Sequence, residues 1–163
     1  MITAFIFNHE MIANINYKGL LDANEIKKIE FPQMKPPAQR IFQCSLGKLL
    51  VFRSGKFRLM GVKAPTSNFS ELPFKVSSIE LQSATVIDDL GYTLNLINLS
   101  RTLTCRRCCY EPELFPGLRL TEFNPMCVNV FASGKIMILG VKDLDTIFDI
   151  CSMVHMTVLE NIS

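Results

Sequence analysis

Cys105-Arg106-Arg107-Cys108 has the spacing of half a zinc site, and Cys109 follows at once. A structural zinc site takes four ligands. The other cysteines, Cys44, Cys127 and Cys151, are scattered, and His9 and His155 stand alone. The expectation is therefore no metal and no disulfide at Cys105, Cys108 and Cys109, which fall about the end of the helix read over residues 99–107. Arg106 and Arg107 would then face the negative end of that helix dipole or a protein partner. A redox Cys-x-x-Cys needs a strand leading into it, and none is read before Cys105. Acid–base chemistry fares no better. Asp88-Asp89 is the adjacent carboxylate pair, and neighbours on a strand point to opposite faces. No nucleophile motif accompanies either histidine, and no glycine-rich loop cradles a phosphate. No enzyme and no cofactor are expected.

A different constellation occurs twice. Residues 51–63 read VFRSGKFRLMGVK and residues 130–142 read VFASGKIMILGVK, 79 positions apart, with eight of thirteen residues identical. Each copy places a phenylalanine, Phe52 or Phe131, two residues before a Ser-Gly-Lys turn. Gly55 and Gly134 are free to take the positive φ that a tight hairpin turn uses. Turn chemistry explains Ser-Gly, but not the shared phenylalanine, the lysines or the closing Gly-Val-Lys. A spacing of 79 exceeds a solenoid unit and suits a duplicated half-domain.

The flanking elements follow a common order. Ile12–Tyr17 reads as a strand, residues 20–29 as a short amphipathic helix, and Arg40–Cys44 as another strand. In the second half, residues 92–97 read as a strand, 99–107 as a helix and 118–123 as an alternating strand. Prolines 32, 36, 37, 112 and 116 punctuate these. Residues 144–155 make a closing helix with Asp143 as N-cap. Its counterpart region, Ala64–Pro73, holds two prolines and leaves room for about one helical turn.

The 163-residue chain has 48% hydrophobic residues, enough for a sizeable core, and a net charge of +2 with pI near 8.2. A protein that neutralises many phosphates usually carries more positive charge, so composition by itself does not indicate nucleic acid. The start MITAFIFNHEM lacks a basic signal-peptide region, and no apolar run reaches membrane-spanning length. A reduced, intracellular setting with no membrane partner is the expectation.

Residues Tyr110–Leu118, YEPELFPGL, followed by Phe131-x-Ser133-Gly134-Lys135 and Gly140-x-Lys142, resemble the second repeat of the TATA-box-binding protein family. The resemblance covers about residues 90–160 and, more faintly, 11–63. It implies an α+β fold: two pseudo-symmetric half-domains, residues 1–75 and 76–163, forming a saddle-shaped antiparallel sheet with helices on its convex side. About ten strands are expected, five per half.

The resemblance further implies a transcription initiation factor that lays its concave face on the minor groove of A/T-rich double-stranded DNA. Phenylalanine wedges open base steps and bend the duplex. Phe115 and Phe131 match one wedge pair, and Phe52 matches one member of the other. The fourth finds no aromatic near residues 36–38, which leaves Phe31 or Phe42 as substitutes from a shifted position. Pro116 and Leu118 flank the wedge. Arg58, Met60, Met137 and Leu139 take the groove-floor places, and Lys56 and Lys135 suit phosphates. Asn14 and Asn129 are the candidate groove asparagines. Implied partners are general transcription factor IIB and the RNA polymerase machinery. The implied location is the nucleus or another site of transcription, including a viral factory for a viral protein. A second reading stays open: the fold without DNA binding, acting as a protein-interaction module. In that case the phenylalanines are ordinary core residues and the lysines ordinary turn residues.

Overall fold

The computed structural model describes residues 12–31, 39–63, 68–103 and 107–162. The chain forms two compact units, Asn14–Ala84 and one built from Thr85 onward. Both are α+β, and the strand pairs within each hairpin are antiparallel.

In the first unit β1 (Ile12–Leu21) precedes a single helical turn, α1 (Ala23–Ile26), capped by the Asp22 carboxylate, which accepts from the Asn24 amide at 3.0 Å. β2 (Gln39–Gln43), β3 (Lys48–Phe52) and β4 (Lys56–Val62) follow, in the order β2-β3-β4-β1-β5. The strands bury one face: Ile15, Tyr17, Leu49, Val51, Phe57, Leu59 and Val62. Period-two alternation then puts Lys18, Leu50, Arg58 and Met60 on the other face. The expected helix over 20–29 shrinks to four residues, because Leu20 and Leu21 belong to β1 and leave it on opposite faces. Leu21 is buried and Leu20 is exposed.

β5 (Val76–Asp89) runs on into the second unit. There it borders the order β5-β9-β8-β7-β6, built from β6 (Cys108–Cys109), β7 (Leu118–Leu120), β8 (Cys127–Val130) and β9 (Lys135–Val141). Val128, Val130, Ile136 and Ile138 are buried, and α2 (Leu96–Leu103) and α3 (Ile147–Asn161) belong to the same unit. These helices contribute Leu96, Leu99, Leu103, Ile147, Val154 and Val158. Asp143 caps the turn before α3, its carboxylate accepting from the Asp145 amide at 2.9 Å.

Several sequence expectations are corrected. The second half opens with β5 at 76–89, not with a strand at 92–97. α2 spans Leu96–Leu103, with Ile97 exposed between buried Leu96 and Leu99, a helical rather than an alternating pattern. The strand expected over 118–123 stops at Leu120. A 3-10 turn, Thr121–Phe123, then buries Phe123. Nine strands are found among the described residues, beside the expectation of about ten for the whole chain. Of Ala64–Pro73, which leaves room for about one helical turn, residues 64–67 lie outside the described residues and 68–73 form no helix.

The cysteine cluster also moves. Cys108 and Cys109 pair with Leu120 and Arg119 on a strand, not at a helix end. Cys108 is buried and Cys109 is exposed, as alternation requires. Arg107 pairs with the Glu122 carboxylate through two nitrogens, at 3.2 and 3.3 Å, rather than with a helix terminus. Cys105 and Arg106 lie outside the described residues. His155, read as solitary, is hydrogen-bonded through Nε2 to the carboxylate of buried Asp88, which ties α3 to β5. Asp89 is exposed.

Candidate nucleic-acid interface

The two Ser-Gly-Lys hairpins share one geometry. Val51 pairs with Phe57 in the first, and Val130 with Ile136 in the second. Gly55 and Gly134 take φ of 89° and 90°. Their amides donate to the carbonyls of Phe52 and Phe131, each at 2.9 Å. The carbonyl of Gly55 accepts from Leu21, and that of Gly134 from Leu90, again at 2.9 Å in both. Thus β1 and β5 play the same part in their own units. Residue n of the first hairpin corresponds to n + 79 in the second.

This correspondence lets the two open faces be read side by side. Across the first unit, cross-strand partners run Ile41–Leu50–Arg58–Lys18. Across the second they run Arg119–Asn129–Met137. Partners in an antiparallel pair share a face. Met60 pairs with Lys48, and Leu139 with Cys127, on the same open faces. The groove-floor candidates Arg58, Met60, Met137 and Leu139 therefore lie opposite the core in their respective units. Lys56 and Lys135 are exposed at the start of β4 and β9. Lys18, Lys48 and Leu50 join this face although sequence reading did not single them out. Their signal was available once the register was known, because each alternates with a buried residue. Lys18 lies 3.6 Å from the carboxylate of Glu80, with both groups well exposed, a weak pair.

Phe115 and Phe131 come together. Their ring centroids are 5.8 Å apart at 66°, edge to face. Phe131 follows core-facing Val130 and so emerges on the opposite side. The backbone turns sharply to present Phe115: its amide and that of Leu114 both donate to the Glu111 carbonyl, at 3.0 and 2.9 Å. Gly117 makes room for the pair. A Cβ there would lie 2.7 Å from one ring and 3.0 Å from the other. Phe115 remains 40% exposed although both rings pack together. Pro116, next to Phe115 in sequence, is exposed.

Leu118 does not belong to this face. It pairs with Val130 and is fully buried, so the residue expected at the interface is core, and its neighbour Arg119 takes the exposed side. Phe42 is likewise no substitute wedge: it pairs with core-facing Leu49 and packs edge-on against Phe74 at 5.0 Å. Phe31 lies under the Arg53 guanidinium, 5.9 Å from its ring centre. Arg40 pairs with Val51 as Leu118 pairs with Val130, so counting back from these carries the place of Phe115 to position 37. Position 37 is a proline outside the described residues. Asn14 is half-buried on β1, whereas Asn129 is almost wholly buried, its amide oxygen 3.7 Å from the Cys127 thiol. Among the described residues no group of three or more His, Cys, Asp or Glu side chains could hold a metal ion, and no helix is long and apolar enough to cross a membrane.

The geometry can be set beside known proteins. The profile of the family described as Transcription factor TFIID (or TATA-binding protein, TBP) matches residues 78–160. A TATA-box-binding protein of Methanococcus maripaludis strain C7 is 33% identical over 111 residues, 60% of each chain. The match thus spans 60% of that relative's length. Another, from strain S2 of the same species, is 31% identical over 145 residues, covering 77% of this chain and 74% of its own. The solved structure of Methanococcus jannaschii TBP superposes with a TM-score of 0.69 at 25% identity, over 91% of this chain and 97% of that one. Profile, sequence relatives and fold agree with the repeated hairpin and the paired phenylalanines: the chain belongs to the TATA-binding protein family.

Proposed function

We propose that this chain is a transcription initiation factor that binds the minor groove of A/T-rich duplex DNA through its open strand faces. Phe115 and Phe131 act as a wedge that opens a base step and bends the duplex. The observation that carries the reading is this pair. Two large apolar rings meet at the edge of an otherwise half-exposed face, over Gly117, where any side chain would press on them. An opened step loses stacking, and a wedge of this kind replaces it. Lys56 and Lys135, at equivalent hairpin starts, suit phosphate oxygens. Met60, Met137 and Leu139 offer apolar contact to a groove floor, and arginine suits the negative potential of a narrow A/T minor groove.

Recruitment belongs to the same proposal. The turn Glu111–Leu114 projects an exposed segment whose Leu114 is 81% exposed. That is a surface for a factor of the IIB type and, through it, the polymerase machinery, wherever transcription takes place. The repeat of hairpin register supports reading the chain as two copies of one half-domain, divided near residue 75.

The test is binding of the full chain to an A·T-rich duplex and to a G·C-rich duplex of equal length, across a salt series. Tighter binding to the A·T-rich duplex, weakening linearly in log salt, is expected. Equal binding to both, or none at low salt, would overturn the proposal and leave a protein-interaction role centred on the Leu114 turn.

A further inference from the structure

The repeat correspondence also shows where the halves differ. Where the second unit has Met137 the first has Arg58, and where it has Cys127 the first has Lys48. On the strand next to each hairpin, Lys18 of β1 corresponds to Ile87 of β5 by the shared Leu21 and Leu90 hydrogen bonds. With Lys56, the first unit's open face carries four exposed cations, of which, among the described residues, Lys18 alone has a carboxylate close by, the well-exposed Glu80 at 3.6 Å. The second unit's face carries Arg119 and Lys135, with the Asp89 carboxylate at the end of β5.

The aromatic tools are divided the opposite way. The second unit has the Phe115–Phe131 pair. In the first, residues 32–38 read Pro-Gln-Met-Lys-Pro-Pro-Ala and supply no ring. Phe42 is turned to the core, and Phe31 is covered by Arg53. Among the described residues no second ring meets Phe52.

Resting on the DNA-binding reading above, we infer that the two halves divide the work. The second half opens one base step with Phe115 and Phe131. The first half holds the duplex by charge, through Lys18, Lys48, Lys56 and Arg58, without opening a step. One half-buried ring is a poor replacement for base stacking, and a face with four cations releases counterions whatever the step geometry. The bound duplex then carries a single wedge-supported kink and an asymmetric distribution of charge contacts.

The experiment uses the full chain at saturating concentration on an A·T-rich duplex. 2-Aminopurine is placed in turn at each base step of the site, and its fluorescence reports unstacking. Phe115→Ala and Phe131→Ala are expected to abolish every fluorescence rise and to weaken binding about 5- to 140-fold, from aromatic–base stacking energies. Phe52→Ala is expected to leave the fluorescence unchanged. The triple variant Lys18→Met, Lys48→Met, Arg58→Met replaces exposed side chains. It should keep the fluorescence rise while lowering the salt slope by roughly two to three units, about one per lost phosphate contact. Its folding is checked by thermal melting. A rise that survives Phe115→Ala and disappears only when Phe52→Ala is added would establish two wedges and overturn this inference alone. An unchanged salt slope in the triple variant would overturn it equally. Absence of A·T-preferring binding by the unaltered chain would overturn the inference together with the reading beneath it.

Discussion

Leu118 and Arg119 are neighbours with opposite fates, and the difference lies in one hydrogen-bond register. Leu118 faces Val130 and the core, while Arg119 faces Asn129 and solvent. A resemblance can assign both to an interface, but only the register says which side chain reaches it. The same holds for Cys151, whose sequence context is mute. It lies on the buried side of α3, and burial first, then the nearby Asp88 carboxylate, push its thiol from 9.0 up to about 12. Both causes disfavour the thiolate. The folded state therefore holds this proton more tightly than the unfolded chain does. The resulting stability is fully present below the thiol's ordinary value and is lost as pH rises from about 9 towards 12. Two outcomes are expected. At pH 8 a thiol reagent should modify exposed Cys109 rapidly and Cys151 only at the rate of unfolding. Between pH 9 and 12, denaturation of a Cys151→Ala variant should show a shallower loss of stability than the unaltered chain. Fast labelling of Cys151 in the folded protein would contradict the assignment.

At the scale of elements, the Ser-Gly-Lys hairpins are the best-determined part of the molecule, and their glycines are not equivalent. Both take φ near 90°, which a side chain rarely adopts. At Gly134 a Cβ would lie 2.1 Å from the Tyr92 carbonyl oxygen, a backbone atom held by the turn. At Gly55 it would meet the Cδ1 of Ile26 at 2.4 Å, the tip of a flexible side chain. Gly134→Ala should therefore cost about 3 kcal/mol, combining strained backbone with overpacking. Gly55→Ala should cost about 1–2 kcal/mol, mainly the backbone term. Equal losses in denaturant titrations would show that the segment after β5 gives way as readily as Ile26. Helices are less secure in the sequence than these turns. α1 is short because Pro32 follows soon after and Leu20–Leu21 are claimed by β1. β5 was missed because Ser77, Ser78, Glu80 and Gln82 dilute its alternation. Pairing with β1 and β9 makes it a strand.

For the whole molecule, a net charge of +2 conceals a local concentration. The first unit's open face gathers Lys18, Lys48, Lys56 and Arg58, while the acidic side chains Asp143, Asp145 and Asp149 lie at and around the start of α3. A small total is therefore compatible with a DNA-binding face. Binding to the folded state alone must raise apparent stability. An A·T-rich duplex at one hundred times its dissociation constant should add about 2.7 kcal/mol, seen as a higher melting temperature. The increase should vanish at high salt, where phosphate contacts no longer contribute. A melting temperature insensitive to the duplex at low salt would mean that the folded chain does not bind it.

The sequence by itself determined the repeated hairpin, its turn positions and the family, and it singled out Phe115 and Phe131, which pack together. These are written locally, in runs such as YEPELFPGL and Ser-Gly-Lys, where turn geometry and residue identity coincide. Tertiary structure decided everything that depends on pairing distant segments. It buried Leu118 and turned Phe42 towards Phe74. It joined His155 to Asp88 across 67 residues, and placed Lys18 beside Arg58 on one face. A strand's two faces differ by a single residue of register, and register is set by its neighbours, so no local reading could assign those side chains.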